Sequence, residues 1–155
     1  MIRPTVPEDT PTLLELTEAT GFFKPHEVLA LDEVLSDYHA SNRELGHVCI
    51  TLQVENEILG FAYYAPAEMT DRTWYLYWIA VRRTEHARGL GGQLLRYAEE
   101  GIRARDGRVL FIETSSLPLY EPTRRFYLKH GYNCEAVLHD FYTEGDDMVV
   151  FRKRL

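Results

Sequence analysis

The sequence predicts a mixed α/β protein: a central, mostly antiparallel sheet with one parallel strand pair and about four flanking helices. Three observations carry this. Apolar runs of strand length lie at Val48 to Val54, Ile58 to Ala65, Trp74 to Val81 and Val109 to Thr114. The first two are separated only by Glu55-Asn56-Glu57 and so read as a hairpin. An amphipathic helix separates the last two, and a strand–helix–strand crossover returns its second strand parallel to the first.

Taken in order, Ile2-Arg3 reads as a short first strand. Pro7-Glu8-Asp9 opens a helix to about Ala19, with acids in its first turn and Leu13, Leu14 and Leu16 apolar; Gly21 ends it. Phe22-Phe23-Lys24-Pro25 connects it to a second helix, about Pro25 to Tyr38, with Val28, Leu31, Val34 and Leu35 on one face. Ala40 to Gly46 and Pro66 to Arg72 are loops. The crossover helix repeats an apolar residue every four positions, at Leu90, Leu94, Ala98 and Ile102, and stops at Gly107. The Val109 to Thr114 run is almost wholly apolar, as expected of a strand covered on both faces. Pro122 suits the start of a last helix ended by Gly131. Tyr132 to Tyr142 and Met148 to Leu155 form a closing hairpin around Glu144-Gly145-Asp146-Asp147. With no repeat, low-complexity tract or linker, residues 1–155 are expected to form one domain.

Composition narrows the function classes. No apolar run reaches membrane-spanning length and the N-terminus lacks a basic-then-apolar signal, so a cytoplasmic protein without a membrane partner is expected. Cys49 and Cys134 lie in apolar strand-like runs with no Cys-x-x-Cys and no Cys/His cluster. They are expected to be reduced core residues, and no metal is expected. His26, His39, His47, His130 and His139 lack metal-ligand spacing and read as surface or strand-end residues. The net charge of −7 is uneven: residues 1–40 hold eight acids and two bases, the remainder sixteen acids and fifteen bases. That excludes nucleic acid, which needs a basic face, and suits a cationic partner.

Chemistry gathers at Arg83-Thr84-Glu85-His86-Ala87-Arg88-Gly89-Leu90-Gly91-Gly92. The order is strand, polar loop, glycines, helix. It presents backbone N–H groups and a positive helix end to an anion, and the missing Cβ atoms let a phosphate approach closely. No Gly-Lys-Ser/Thr follows and G-x-G-x-x-G spacing is absent, so the loop is neither a Walker loop nor a dinucleotide fingerprint. The plain alternative is a tight strand-to-helix turn. Glycines there lower helix stability by roughly 1 kcal/mol each, a cost more readily understood if the backbone binds something.

The stretch resembles the phosphate-binding loop of the GNAT superfamily of acyl-CoA-dependent N-acyltransferases, Gln/Arg-x-x-Gly-x-Gly/Ala after a strand often ending Ile-Ala-Val. Here it reads His86-Ala87-Arg88-Gly89-Leu90-Gly91 after Ile79-Ala80-Val81, with His86 departing from the usual Gln or Arg. Thr123-Arg124-Arg125-Phe126-Tyr127-Leu128-Lys129-His130-Gly131-Tyr132 resembles the family's C-terminal signature, Ala-x-x-Phe/Leu-Tyr-x-x-x-Gly-Phe/Tyr, with Thr123 in the small-residue position. The resemblance spans Ile79 to Tyr132 and extends to the Asp140-Phe141-Tyr142…Asp147-Met148 ending. It implies a GNAT-like fold whose strands ending at Val81 and Thr114 part around the coenzyme. It implies acetyl-CoA bound by Ile79, Ala80, Val81, His86, Ala87, Arg88, Gly89, Leu90, Gly91 and Gly92. It also implies that Tyr127 is general acid to the leaving thiolate. A phenol of pKa near ~10 is protonated at neutral pH and can do this, whereas the helix alone reads Tyr127 as a packing residue beside Phe126.

The base is less determined. Tyr75 and Tyr77 stand where some branches carry a Glu or His base, and neither is a base at neutral pH. Glu113 is the only acid in an apolar strand, and burial would raise its pKa to a useful range. It resembles the Glu of the branch acetylating ribosomal-protein N-termini. A backbone-bonding role for Glu113, or a water chain with no dedicated base, stays open. Arg124, Arg125 and Lys129 read either as contacts to the coenzyme 3′-phosphate or as a solvated helix face. No Cys or Ser is placed as a covalent carrier, so direct transfer in a ternary complex to a primary, cationic amine is expected. The alternative is a non-catalytic acyl-CoA-binding or sensing domain of the same fold, which would not depend on Tyr127. A plain α/β interaction module is a third reading. Oligomeric state is not set by the sequence, and a homodimer is one arrangement open to it.

Overall fold

The computed structural model describes residues 1–155, the side chain of Ala87 excepted. Strand β1 (Ile2–Pro4) leads to helices α1 (Thr10–Ala19) and α2 (Pro25–Ala40). Strands β2 (Val48–Val54), β3 (Glu57–Pro66) and β4 (Thr73–Val81) follow, then helix α3 (Leu90–Ala104), strand β5 (Val109–Ser115) and helix α4 (Glu121–Lys129). Strands β6 (Asn133–Thr143) and β7 (Asp146–Arg154) end the chain. The first helix starts later than its acids suggest. Pro7–Asp9 is a separate 3-10 turn, and Pro11, which cannot donate a backbone bond, sits in the first turn of α1.

One seven-stranded sheet runs in the order β1-β2-β3-β4-β5-β7-β6. Only β4 and β5 are parallel, as the crossover helix requires. The closing hairpin docks through its second strand, so β7 lies against β5 and β6 forms the edge. All eleven residues of β6 are exposed. Cys134 is therefore exposed, contrary to the expectation of two core cysteines, while Cys49 is buried.

The apolar stripe of α3 (Leu90, Leu94, Leu95, Ala98, Ile102) packs with Leu110, Ile112 and Tyr127 on one sheet face. Leu13, Leu16, Leu31 and Leu35 of α1 and α2 pack with Phe61, Tyr63 and Ala80 on the other. These two helices cover the β2–β4 half only. Hence β5 is covered fully on one face, not on both: Leu110, Ile112 and Thr114 are buried, Phe111 is half-buried and Glu113 is exposed. A buried acid anchors the other side. Tyr132 donates its hydroxyl to Glu99 Oε2 at 2.6 Å, and Lys153 donates to both Glu99 oxygens at 3.1 Å and to the His130 carbonyl at 2.9 Å. With its charge paired and its oxygens bonded, Glu99 ties α3 to the end of α4 and to β7.

The parallel pairing is short. It runs from Thr73–Val109 to Leu76–Ile112 and stops. Beyond it β4 stays with β3 as far as Val81, and β5 stays with β7 as far as Ser115. Tyr77 is the extra residue of a bulge, since Tyr63 pairs with Trp78 and Tyr64 with Leu76. A bulge bends its strand, and here the bend coincides with the point where β4 leaves β5. The sheet therefore has a split at its centre, as the resemblance implies.

Candidate active site

The split opens into a cavity of about 690 Å³. One end is the start of α3. Gly89 caps the helix with φ of 72°, in the left-handed region that glycine adopts without strain. Gln93 is the first α3 residue whose amide closes on the Gly89 carbonyl, leaving the amides of Leu90, Gly91 and Gly92 ahead of any intrahelical acceptor. Gly91 and Gly92 have different reasons to be glycine. A Cβ on Gly92 would lie 2.9 Å from the His130 ring, so that glycine lets α4 approach α3. A Cβ on Gly91 would meet the Phe126 ring at 3.4 Å, an ordinary contact, and Gly91 itself lines the cavity.

His86 turns inward on its own loop. Its Nε2 lies 2.7 Å from the Val81 carbonyl, and because that carbonyl only accepts, Nε2 carries the proton and donates. The bond fixes the loop against the end of β4. Arg88 Nη1 donates to Glu85 at 2.7 Å across an exposed pair, and Leu90 is a core residue. Ile79, Ala80, Val81, His86, Gly89, Gly91 and Gly92 thus line the cavity, whereas the side chains of Arg88 and Leu90 do not. The Ala87 side chain lies outside the described residues.

Three further groups at this end are Arg96, Lys129 and His130. Arg96 stands one helical turn after Gly92, a spacing that marks it in the sequence. Burial, then the nearby Arg96 charge, holds the His130 pKa below the ordinary imidazole value. Of the other basic candidates, Arg124 Nη1 donates to the Ser115 and Leu117 carbonyls at 2.8 and 2.9 Å, which fixes the β5–α4 connection. Arg125 pairs with Glu121 on the surface.

Tyr127 and Glu113 reach the split from opposite faces. Tyr127, 3% exposed, packs against Phe126, Tyr132 and Phe151 with ring centroids 5.4 to 5.9 Å apart. Its hydroxyl has no hydrogen-bond partner among the described residues, and it lines the cavity. Burial raises its pKa above the ordinary phenol value, so it stays a donor at neutral pH. Strand alternation puts Glu113 on the face away from Ile112 and Tyr127. The expectation of a buried carboxylate gives way to an exposed one, because α1 and α2 do not extend over β5. The cavity walls still remove enough water to raise the Glu113 pKa above the usual carboxylate range. Among the described residues Glu113 accepts no hydrogen bond and is the one carboxylate lining the cavity. The cavity therefore carries cations at the glycine end and a single acid at the far end.

A roof crosses the split. Tyr120, in the turn before α4, donates its hydroxyl to the Phe22 carbonyl in the α1–α2 connector. The Phe22 ring lies 6.0 Å from Tyr120 and 6.3 Å, stacked, from His86. Phe23 packs on Trp78 at 5.5 Å. The sequence reads Phe22 and Phe23 only as a connector, and nothing periodic in it marks this wall.

Comparison with known proteins agrees with this architecture. No curated protein matches the chain. A protein from Desulfovibrio desulfuricans assigned to the GNAT family of acetyltransferases superposes with a TM-score of 0.95 at 35% identity, over 99% of this chain and 98% of that one. The ribosomal-protein-S18-alanine N-acetyltransferase of Escherichia coli shares the fold with a TM-score of 0.79 at 17% identity, over 99% and 92% of the chains. An aminoglycoside 6′-N-acetyltransferase solved with coenzyme A does so with a TM-score of 0.72 at 19% identity, over 99% and 96%. The model of the acetyltransferase (GNAT) family matches residues 12–132, and with it the chain belongs to the GNAT family of acetyltransferases.

Proposed function

We propose that the protein is an N-acetyltransferase that moves the acetyl group of acetyl-CoA to a primary, cationic amine by direct attack in a ternary complex. One observation carries this reading: a single cavity joins the amides at the start of α3 to the split, where Tyr127 and Glu113 line it from opposite faces. An anionic pyrophosphate fits the helix end with Arg96 and Lys129 beside it. The β4 edge from Tyr77 to Val81 has no partner strand on the β5 side, so it is free to bond an extended, amide-bearing arm.

The reaction follows from these positions. The acceptor arrives as an ammonium ion, and one proton passes to Glu113, directly or through water. The free amine nitrogen attacks the thioester carbonyl carbon. A C–N bond forms, the C–S bond breaks, and Tyr127 donates its proton to the leaving sulfur. The second nitrogen proton restores Tyr127 through solvent, so one proton is released for each amide and thiol formed. The cationic acceptor is supported by Glu113 at the far end of the cavity and by the acidic residues 1–40.

The test is thiol release from acetyl-CoA over a panel of primary amines, with calorimetry of acetyl-CoA alone. Binding with turnover on at least one amine is the expected result. Binding without turnover on any amine would leave only a coenzyme-binding domain, and absence of binding would remove the reading altogether.

A further inference from the structure

Tyr75 and Phe111 are register partners one step before the parallel pairing ends. Their rings lie 5.9 Å apart, and Tyr75 lies 5.6 Å from Tyr77. Alternation places Phe111 and Glu113 on one face of β5, and the ring contacts put Tyr75 and Tyr77 on the same face. Both Tyr75 and Phe111 are half-buried, while Tyr77 is 54% exposed. No described residue of α1 or α2 joins them in a core cluster. The result is an aromatic shelf that starts at the split and has Glu113 at its head. Glu113 and Glu68 act on Tyr77, and Glu113, Asp146 and Glu27 act on Tyr142. Arg152, the β7 register partner of Phe111, puts a cation on the same face beside that ring. From the opposite face Tyr127, whose hydroxyl has no hydrogen-bond partner among the described residues, reaches the same cavity.

We infer that the acceptor is a primary ammonium on an aromatic body, with its charge at Glu113 and its ring on the shelf of Tyr75 and Phe111. This rests on the proposed function and narrows it. The single carboxylate lining the cavity at the reaction point selects a cation. Ring faces adjoining that carboxylate attract both an ammonium and a stacked aromatic ring. The shelf offers faces rather than a set of hydrogen-bonding groups. A polyhydroxylated acceptor would leave its hydroxyls without partners there, a loss that counts against it.

The test measures binding, so it does not depend on turnover. The protein is saturated with coenzyme A, and 2-phenylethylamine, ethylamine and glucosamine are titrated by calorimetry. 2-Phenylethylamine is expected to bind at least tenfold more tightly than either of the others. Phe111→Leu keeps the shelf apolar and removes the ring. It should weaken 2-phenylethylamine about fivefold and leave ethylamine unchanged, with Tyr75→Leu as a second, independent variant. Glucosamine binding as tightly as 2-phenylethylamine, or variants that weaken all three amines alike, would overturn the inference. Selective binding of 2-phenylethylamine without acetyl transfer would overturn the catalytic reading and keep the shelf. Transfer to other amines without aromatic preference would do the reverse.

Discussion

Tyr77 and Glu113 are the first residues past the last parallel pair, Leu76 and Ile112, and both line the cavity where β4 and β5 separate. Burial first, and then the neighbouring Tyr75 and Glu113, raise the Tyr77 pKa above the ordinary phenol value. Tyr77 is thus neutral across the physiological range, and of this facing pair Glu113 is the member able to accept a proton there.

That assignment has a pH signature. Glu113 is useful as a base only when ionised. Its pKa is raised by loss of water, so the protonated, inactive form persists to higher pH than for an ordinary carboxylate. kcat/KM should therefore rise with pH through that raised pKa. Glu113→Gln should lower turnover and abolish this acidic limb. A variant of wild-type activity with the limb intact would assign the proton to a water chain.

The placement of the glycine loop and of Tyr127 at the split was legible because each belongs to a local sequence pattern of fixed spacing. The setting of Glu113 was not. Its strand is almost wholly apolar, the pattern of a strand covered on both faces, and only the tertiary arrangement shows that α1 and α2 stop short of Phe111 and Glu113. The Tyr120–Phe22 roof joins residues far apart in the chain and leaves no periodic trace. Nor does a hairpin pattern say which of its strands will dock, so β7 beside β5 became visible only in the sheet.

Tyr127→Phe removes one hydroxyl and keeps the ring that packs against Tyr132 and Phe151. If that hydroxyl protonates the leaving sulfur, kcat should fall about 10²-fold while acetyl-CoA affinity and melting temperature stay near wild type. Because burial raises its pKa, Tyr127 should contribute no basic limb to the profile below about pH 10. Unchanged kcat would return Tyr127 to the core.

Gly91→Glu tests the loop, and the structure favours this position over Gly92. A Cβ at Gly91 has room beside Phe126, whereas one at Gly92 would press into His130 and displace α4. The carboxylate would stand where the phosphates are proposed to lie. Acetyl-CoA should bind more than tenfold more weakly, a loss above ~1.4 kcal/mol, with circular dichroism unchanged. A folded variant of unchanged affinity would refute the assignment of coenzyme to this helix end.

The last prediction concerns how the acceptor arrives. Eight acids and two bases in residues 1–40 put a negative field on the side of the sheet that carries Glu113, because α1 and α2 pack on that face. Such a field concentrates cations and speeds their encounter, and salt weakens it. Raising ionic strength from low to about 0.5 M shortens the screening length to a few ångströms. kcat/KM for a protonated amine such as 2-phenylethylamine should fall steeply over that range. For a neutral acceptor such as a weakly basic aniline it should stay nearly flat, since there is no charge to steer. The loss should lie in kcat/KM, with kcat little changed, because screening acts on arrival and not on the chemical step. The same salt dependence for both acceptors would mean that the acids of α1 and α2 serve only as a solvated surface, and that Glu113 alone selects the charge.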